Sequence, residues 1–250
     1  MENCSKCKFS LCSFLSAANI RCFGEPVLIN MRAIPKLAPQ RIARWSLLLL
    51  ICGLNFSGCR LGTTDAATRG KELFETCVPC HQEDGSGNPA VGAPNIAGMT
   101  DWYVEEQLEK FRAGARGAHF SDVEGMRMRP MALSLPTDED VKTVAHYVGT
   151  MSPVLHAASL PGDPTAGARS YATCAACHGV QGAGNPDLKA PRIAGTDDWY
   201  LATQLRKYRS GVRGANPKDP EGQMMRPMAR TLPNEDAIRN VVAYIGTLKP

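Results

Sequence analysis

The sequence predicts an all-α protein made of two successive copies of one helical domain. Three observations carry this reading. A shift of 97 residues lays Gly70–Pro153 onto Gly167–Pro250 without a gap, with 40 identities in the 84 pairs. Apolar residues recur at helical spacing, and no segment alternates convincingly with period two. Each copy is ~85–90 residues, near the low end of the range for whole domains, and solenoid arrays usually need three or more shorter units. The copies are expected over residues 66–153 and 165–250, joined by 154–164. Pro153, Pro161, Gly162 and Pro164 mark Ser152–Pro164 as a short, stiff linker.

The first 59 residues differ in kind. Arg32, Lys36, Arg41 and Arg44 precede Trp45–Phe56, an apolar run of 12 residues. That length is short for a bilayer span and fits the apolar region of a secretory signal behind a basic stretch. The run ends Phe56-Ser57-Gly58-Cys59, similar to a bacterial lipobox with Phe where Leu is usual, so Cys59 is the expected site of lipid attachment. Met31 would begin a signal of ordinary length, which makes residues 1–30, with their Cys4-x-x-Cys7 pair, a candidate misassigned start.

Each copy opens with a short helix. In the second, Asp163 suits the N-cap and Pro164 the first turn. A loop follows at Gly85, Gly87, Asn88 and Pro89, matched by Gly182, Gly184, Asn185 and Pro186. A middle helix starts near Asp101 and near Asp198, runs through Trp102-Tyr103 and Trp199-Tyr200, and stops at Gly114 and Gly211. A last helix begins after Thr137 and after Asn234. Its apolar residues Val141, Val144, Ala145, Val148 and Ile238, Val241, Val242, Ile245 fall on one face.

Two motifs carry chemistry. They read Cys77-Val78-Pro79-Cys80-His81 and Cys174-Ala175-Ala176-Cys177-His178, at equivalent points of the repeat. Cys-x-x-Cys-His is the attachment signature of c-type haem. The two thiols add to the vinyl groups, and the adjacent imidazole becomes the proximal iron ligand. Of 10 cysteines, six lie at or before Cys59 and the other four form these pairs, which leaves none for structural disulfides. A zinc site needs four ligands, and each copy offers only two thiols and one motif histidine. Two covalent haem c groups, with His81 and His178 on iron, are therefore expected.

With helix, Cys-x-x-Cys-His, glycine-rich loop, further helices, a methionine loop and a closing helix in order, each copy resembles a class I cytochrome c. The pair resembles the two-domain, di-haem cytochromes c of bacterial respiratory chains. The resemblance implies that the first and last helices of each domain cross, with Gly70 and Gly167 allowing close approach and Phe74 and Tyr171 meeting Tyr147 and Tyr244. It also implies an axial methionine seven residues before the leucine that precedes the last helix. Leu135 and Leu232 then select Met128 and Met225, with Met131 and Met228 as core lids. The carbonyls of Pro94 and Pro191 are expected to accept from the proximal histidines, as metal-bound imidazoles require a partner for the other nitrogen. Trp102, Trp199, Arg129 and Arg226 are candidates for propionate contacts. His119, His146 and His156 have no counterpart histidine and are expected at the surface.

The full chain is +4, but the first 59 residues hold seven basic and two acidic side chains, which leaves 21 against 22 in the remainder. Nucleic acid is thereby an unsuitable partner. Closed His/Met ligation leaves no substrate position. The expected function is an exported, periplasmic di-haem carrier of single electrons, held at the membrane by a lipid anchor and meeting membrane respiratory complexes, not an enzyme in itself. The alternative is the cytochrome subunit of a dehydrogenase or oxidase complex. A peroxidase would need one open iron position, against the matched methionines. Residues 60–153 sum to −5 (9 basic, 14 acidic) and 154–250 to +4 (12 basic, 8 acidic), which suggests domain docking by opposite charge. It also suggests a basic distal surface at Arg206, Lys207, Arg209 and Arg213 for an acidic partner.

Overall fold

The computed structural model describes residues 65–249. The leader, with Cys59, lies outside the described residues. Helices account for all the regular structure among them, apart from two isolated bridges, Asn88–Ala93 and Asn185–Ala190. Among the described residues no helix is long and apolar enough to cross a membrane.

The first domain comprises α1 (Ala66–Phe74), α2 (Val78–His81), α3 (Asp101–Arg112), α4 (Val123–Leu133) and α5 (Asp138–Thr150). The second comprises α6 (Pro164–His178), α7 (Asp198–Ser210), α8 (Pro220–Arg230) and α9 (Glu235–Ile245). One-turn 3-10 helices, Pro89–Val91 and Pro186–Leu188, interrupt the loops after the cysteine motifs. Side-chain caps set the starts: Asp65 accepts from Thr68 N, Asp163 from Thr165 N, Thr137 from Asp140 N and Asn234 from Ala237 N.

The first and last helices of each domain pack together, α1 on α5 and α6 on α9. A Cβ on Gly70 would sit 2.7 Å from Tyr147 Cβ. One on Gly167 would run into the Asn240 carbonyl. Only glycine lets the backbones approach this closely, and the flanking rings then meet. Phe74 and Tyr147 centroids are 5.6 Å apart, and Tyr171 and Tyr244 are 5.1 Å apart. Val141, Val144 and Val148 of α5 join Leu73, Phe74 and Leu108 in the first core. Ile238, Val241, Val242 and Ile245 of α9 join Tyr171 and Leu232 in the second.

Two departures from the sequence reading have clear causes. The second cysteine motif continues one unbroken helix, α6, whereas the first is split between α1 and α2. Pro79 stands where the second copy has Ala176. Its ring removes a backbone donor and crowds the preceding turn. The methionines, expected in a loop, sit on α4 and α8. Asp122 and Asp219 cap these helices, accepting from Gly125 N and Gly222 N, and Pro130 and Pro227 lie within them. Internal proline disguises both helices in the sequence, and weak apolar periodicity further disguises α4.

The two domains meet through reciprocal ion pairs. Lys110 of α3 reaches Asp219 and Glu221 at 2.7 and 2.8 Å. Lys207 of α7 reaches Asp122 and Glu124, both at 2.6 Å. The repeat maps one set onto the other. Each domain contributes one lysine and two carboxylates, so docking rests on local complementarity rather than on the opposite net charges of the halves. This also takes two residues away from the expected basic distal surface. Lys207 and Arg213 are spent at the interface, while Arg206, paired with Glu235, and Arg209, bonded to Pro233 O, stay at the surface. The linker is fixed as well, with Asp198 accepting from Ser159 N and Leu160 N.

Candidate haem sites

Each domain folds its cysteine motif against one cavity of about 180 Å³. Cys77, Cys80, His81, Pro94, Met128 and Met131 line the first. Cys174, Cys177, His178, Pro191, Met225 and Met228 line the second. The motif histidine ends a helix and is buried, 7% exposed for His81 and 6% for His178. His81 Nδ1 lies 2.9 Å from Pro94 O, and His178 Nδ1 lies 2.8 Å from Pro191 O. A carbonyl can only accept, so Nδ1 carries the proton and Nε2 is left with a free lone pair. Burial holds both imidazoles below the ordinary histidine value, against the opposing pull of the carbonyl bond. Neutral imidazole is the ligating form.

Burial pushes the Cys77 thiol up to about 11 and raises that of Cys174. Cys80 and Cys177 are exposed, and all four thiols are free of disulfides. Met128 and Met131 are three residues apart on α4 and share a face, as do Met225 and Met228 on α8. Both members of each pair therefore border the cavity. Met131 and Met228 are 38% and 40% exposed, so they are rim residues and not the core lids expected.

Trp102, Trp199, Arg129 and Arg226 do not line either cavity. The cavity face of α3 carries Tyr103, Gln107 and Phe111, at spacings of four, and Trp102 lies about 100° around the helix from Tyr103. Arg129 lies one position beyond Met128 and packs beside Gly114 and Gly117, and Arg226 repeats this at Gly211 and Gly214.

The sequence reading assigned no haem-site role to a further set of polar groups that reach the cavities. Arg116 and Arg213 are 8% and 6% exposed. Arg116 donates to Gln107 Oε1 at 2.8 Å, and Arg213 donates to Gln204 Oε1 at 2.9 Å. Arg213 also bonds Gln107 across the domain boundary at 2.8 Å. Tyr103 and Tyr200 border both cavities. All six residues are identical in the two copies, a signal that was present in the repeat.

This donor set fits a covalent haem. Paired thiols and a neutral imidazole with a free Nε2 stand at one wall, and a thioether face stands on another helix. No carboxylate among the described residues pairs with Arg116, Arg213, Arg129 or Arg226, and the Nε of each is buried without a partner; of the four, Arg116 and Arg213 border the cavities. Buried guanidinium groups need anions, and haem propionates are anions of suitable reach. His119, His146 and His156 are absent from both cavities, and His146 and His156 instead pair with Asp101 and Asp197.

Comparison with known proteins agrees with the geometry. The cytochrome c family model matches residues 67–152 and 164–249. The thiosulfate dehydrogenase electron acceptor of Stutzerimonas stutzeri (strain A1501) is 31% identical over 183 residues, covering 69% of this chain and 78% of that protein. Cytochrome c4 of Azotobacter vinelandii is 30% identical over 215 residues, covering 81% of this chain and 98% of that protein. The crystal structure of reduced recombinant cytochrome c4 from Pseudomonas stutzeri superimposes with a TM-score of 0.59 at 27% identity, over 73% of this chain and 98% of that one. Helical fold, paired attachment motifs and family match lead to one conclusion: the chain belongs to the cytochrome c family, as a tandem of two class I c-type domains carrying two covalent haem c groups.

Proposed function

We propose that the protein carries single electrons between redox partners, with one haem site in each domain. In this reading Cys77 and Cys80 hold the first haem, with His81 and Met128 on its iron. Cys174 and Cys177 hold the second, with His178 and Met225. A bound haem would supply one-electron chemistry, and the chain's own residues would hold it so that little moves during exchange. The carbonyls of Pro94 and Pro191 hold the imidazoles, Met128 and Met225 would offer thioether ligands, and the buried arginines would neutralise the propionates. Little then has to reorganise as charge changes.

The observation that carries the proposal is the shared wall. Tyr103, Gln107, Tyr200 and Gln204 border both cavities, so the two sites adjoin through a few side chains. This arrangement supports passage of an electron between domains, with each domain meeting a different partner. The residues before Asp65 are proposed to direct export to the periplasm and, through Cys59, attachment to a membrane.

Intact mass after expression in a haem-maturing host should show two haem additions that survive acid acetone. Cys77→Ala with Cys80→Ala should remove one and leave the other. Zinc, or no haem, in the mass would sink the proposal. The second reading is a cytochrome subunit of an enzyme complex, favoured by the relative named as an electron acceptor of thiosulfate dehydrogenase. Stable co-purification with a dehydrogenase or oxidase chain from native membranes would select it over a free carrier.

A further inference from the structure

The Pro94–Asn95 peptide has a partner on each side. Its carbonyl accepts from His81 Nδ1 at 2.9 Å. Its N–H donates to Asp197 Oδ2 at 3.0 Å. Asp197 belongs to the second domain, 102 residues further along the chain. It stands at the N-cap position of α7 yet caps nothing there. Its other oxygen, Oδ1, accepts from His156 Nδ1 of the linker at 2.7 Å. Asp197 and Asn95 are 6% and 5% exposed, so this carboxylate acts through a poorly screened interior.

The repeat shows what is unequal. The first-copy counterpart of Asp197 is Thr100, which carries no charge. The counterpart of Asn95 is Arg192, whose guanidinium donates to Gly98 O across the boundary and borders the second cavity. One proximal peptide is therefore bonded to an anion, while the other carries a cation on its own residue.

We infer that Asp197 is a positioning residue that acts through the Pro94–Asn95 peptide and holds the first haem at a lower reduction potential than the second. The inference rests on His81 being the proximal ligand. An amide whose N–H is bonded to a carboxylate becomes a stronger acceptor at its oxygen, since linked hydrogen bonds polarise one another. A stronger acceptor at Nδ1 makes the imidazole more electron-rich, and that form favours ferric over ferrous iron. The carboxylate charge works in the same direction. Arg192 beside the second cavity favours the ferrous state there. The first domain would then be the donor end and the second the acceptor end of the internal transfer.

The test is a spectroelectrochemical titration of the full chain. Haem methyl resonances are assigned to domains through contacts with Ile96 or Ile193. In the wild-type protein the lower step should belong to the first haem. Asp197→Asn keeps an acceptor and removes the charge. It should raise the first haem's reduction equilibrium about tenfold, or 59 mV for one electron, with the second unmoved. His156→Ala loosens the linker but leaves the carboxylate, so it should leave the first potential unchanged or lower it. An unmoved first haem in Asp197→Asn, equal movement of both haems, or an equal rise in His156→Ala would overturn the inference. The ligand reading is scored separately by the wild-type spectrum. Absence of hyperfine-shifted His81 resonances sinks that reading, while their presence with an unmoved potential sinks only this one.

Discussion

At the scale of single residues, the histidines were legible because thioether chemistry forces both cysteines and the ligand into five consecutive positions. The axial methionine is harder, because Met128 and Met131 share one face of α4 and both border the cavity. Substitution separates them. Met128→Ala or Met225→Ala should abolish the methionine–iron charge-transfer band of that haem and lower its potential, as read by absorption and redox titration. Met131→Ala and Met228→Ala remove side chains that are 38% and 40% exposed. Their cost in denaturant unfolding should fall below the ~2–5 kcal/mol typical of a buried methionine. The reverse pattern would move the ligand assignment by three residues. Arg116 and Arg213 were given no haem role in the sequence reading, and Arg213 was placed on a basic surface, for a different reason. A lone arginine in a polar stretch looks like a solvated charge, and only the fold shows that it is buried without a carboxylate.

At the scale of elements, the helices with amphipathic faces and good caps were readable nearly to the residue. Thr137 and Asn234 announce α5 and α9, and the structure uses both as N-caps. The unreadable elements were α4 and α8, where proline, glycine and arginine mask a helix held by an aspartate cap and by packing on its neighbour. The same caps tie these elements to the interface. Asp219 accepts from Gly222 N at the head of α8 and also receives Lys110 of the other domain. The helix crossings were expected from the family resemblance, and Gly70 tests them. Gly70→Ala places a Cβ 2.7 Å from Tyr147 Cβ, which is too close for an atom that cannot swing away. Overpacking of this kind costs about 1–3 kcal/mol. The midpoint of chemical denaturation should fall accordingly. An unchanged midpoint would mean that α1 and α5 separate without loss.

At the scale of the whole molecule, the interface is a charge lock whose pH range follows from its groups. Burial alone would depress the Lys110 ammonium, but its bonds to Asp219, Glu106 and Glu221 outweigh that and raise it above the ordinary lysine value. Burial alone would raise the Asp122 carboxyl, and Lys207 outweighs it, so the net direction is downward. The Lys207 bond lowers Glu124 directly. Glu221 is lowered by Lys110 against the effect of its partial burial. Groups lowered in the folded state stabilise it fully above their unfolded values of about 3.9 for Asp and 4.3 for Glu, and lose that stabilisation as pH falls through the folded values. A raised lysine contributes fully below about 10.4 and loses its contribution only as pH rises through its folded value. Docking should therefore be constant from roughly pH 5 to 10 and weaken in acid. Small-angle scattering should show the two domains separating in acid while the histidine–carbonyl bonds, which contain no carboxylate, persist. Lys110→Ala should shift that separation further than Lys207→Ala. Lys110 leaves behind Asp219 at 1% exposure, whereas Lys207 leaves Asp122 at 5% and the more exposed Glu124. An uncompensated buried carboxylate is the costlier remnant. Equal shifts from the two variants, or a separation indifferent to acid, would mean that packing rather than charge holds the domains together.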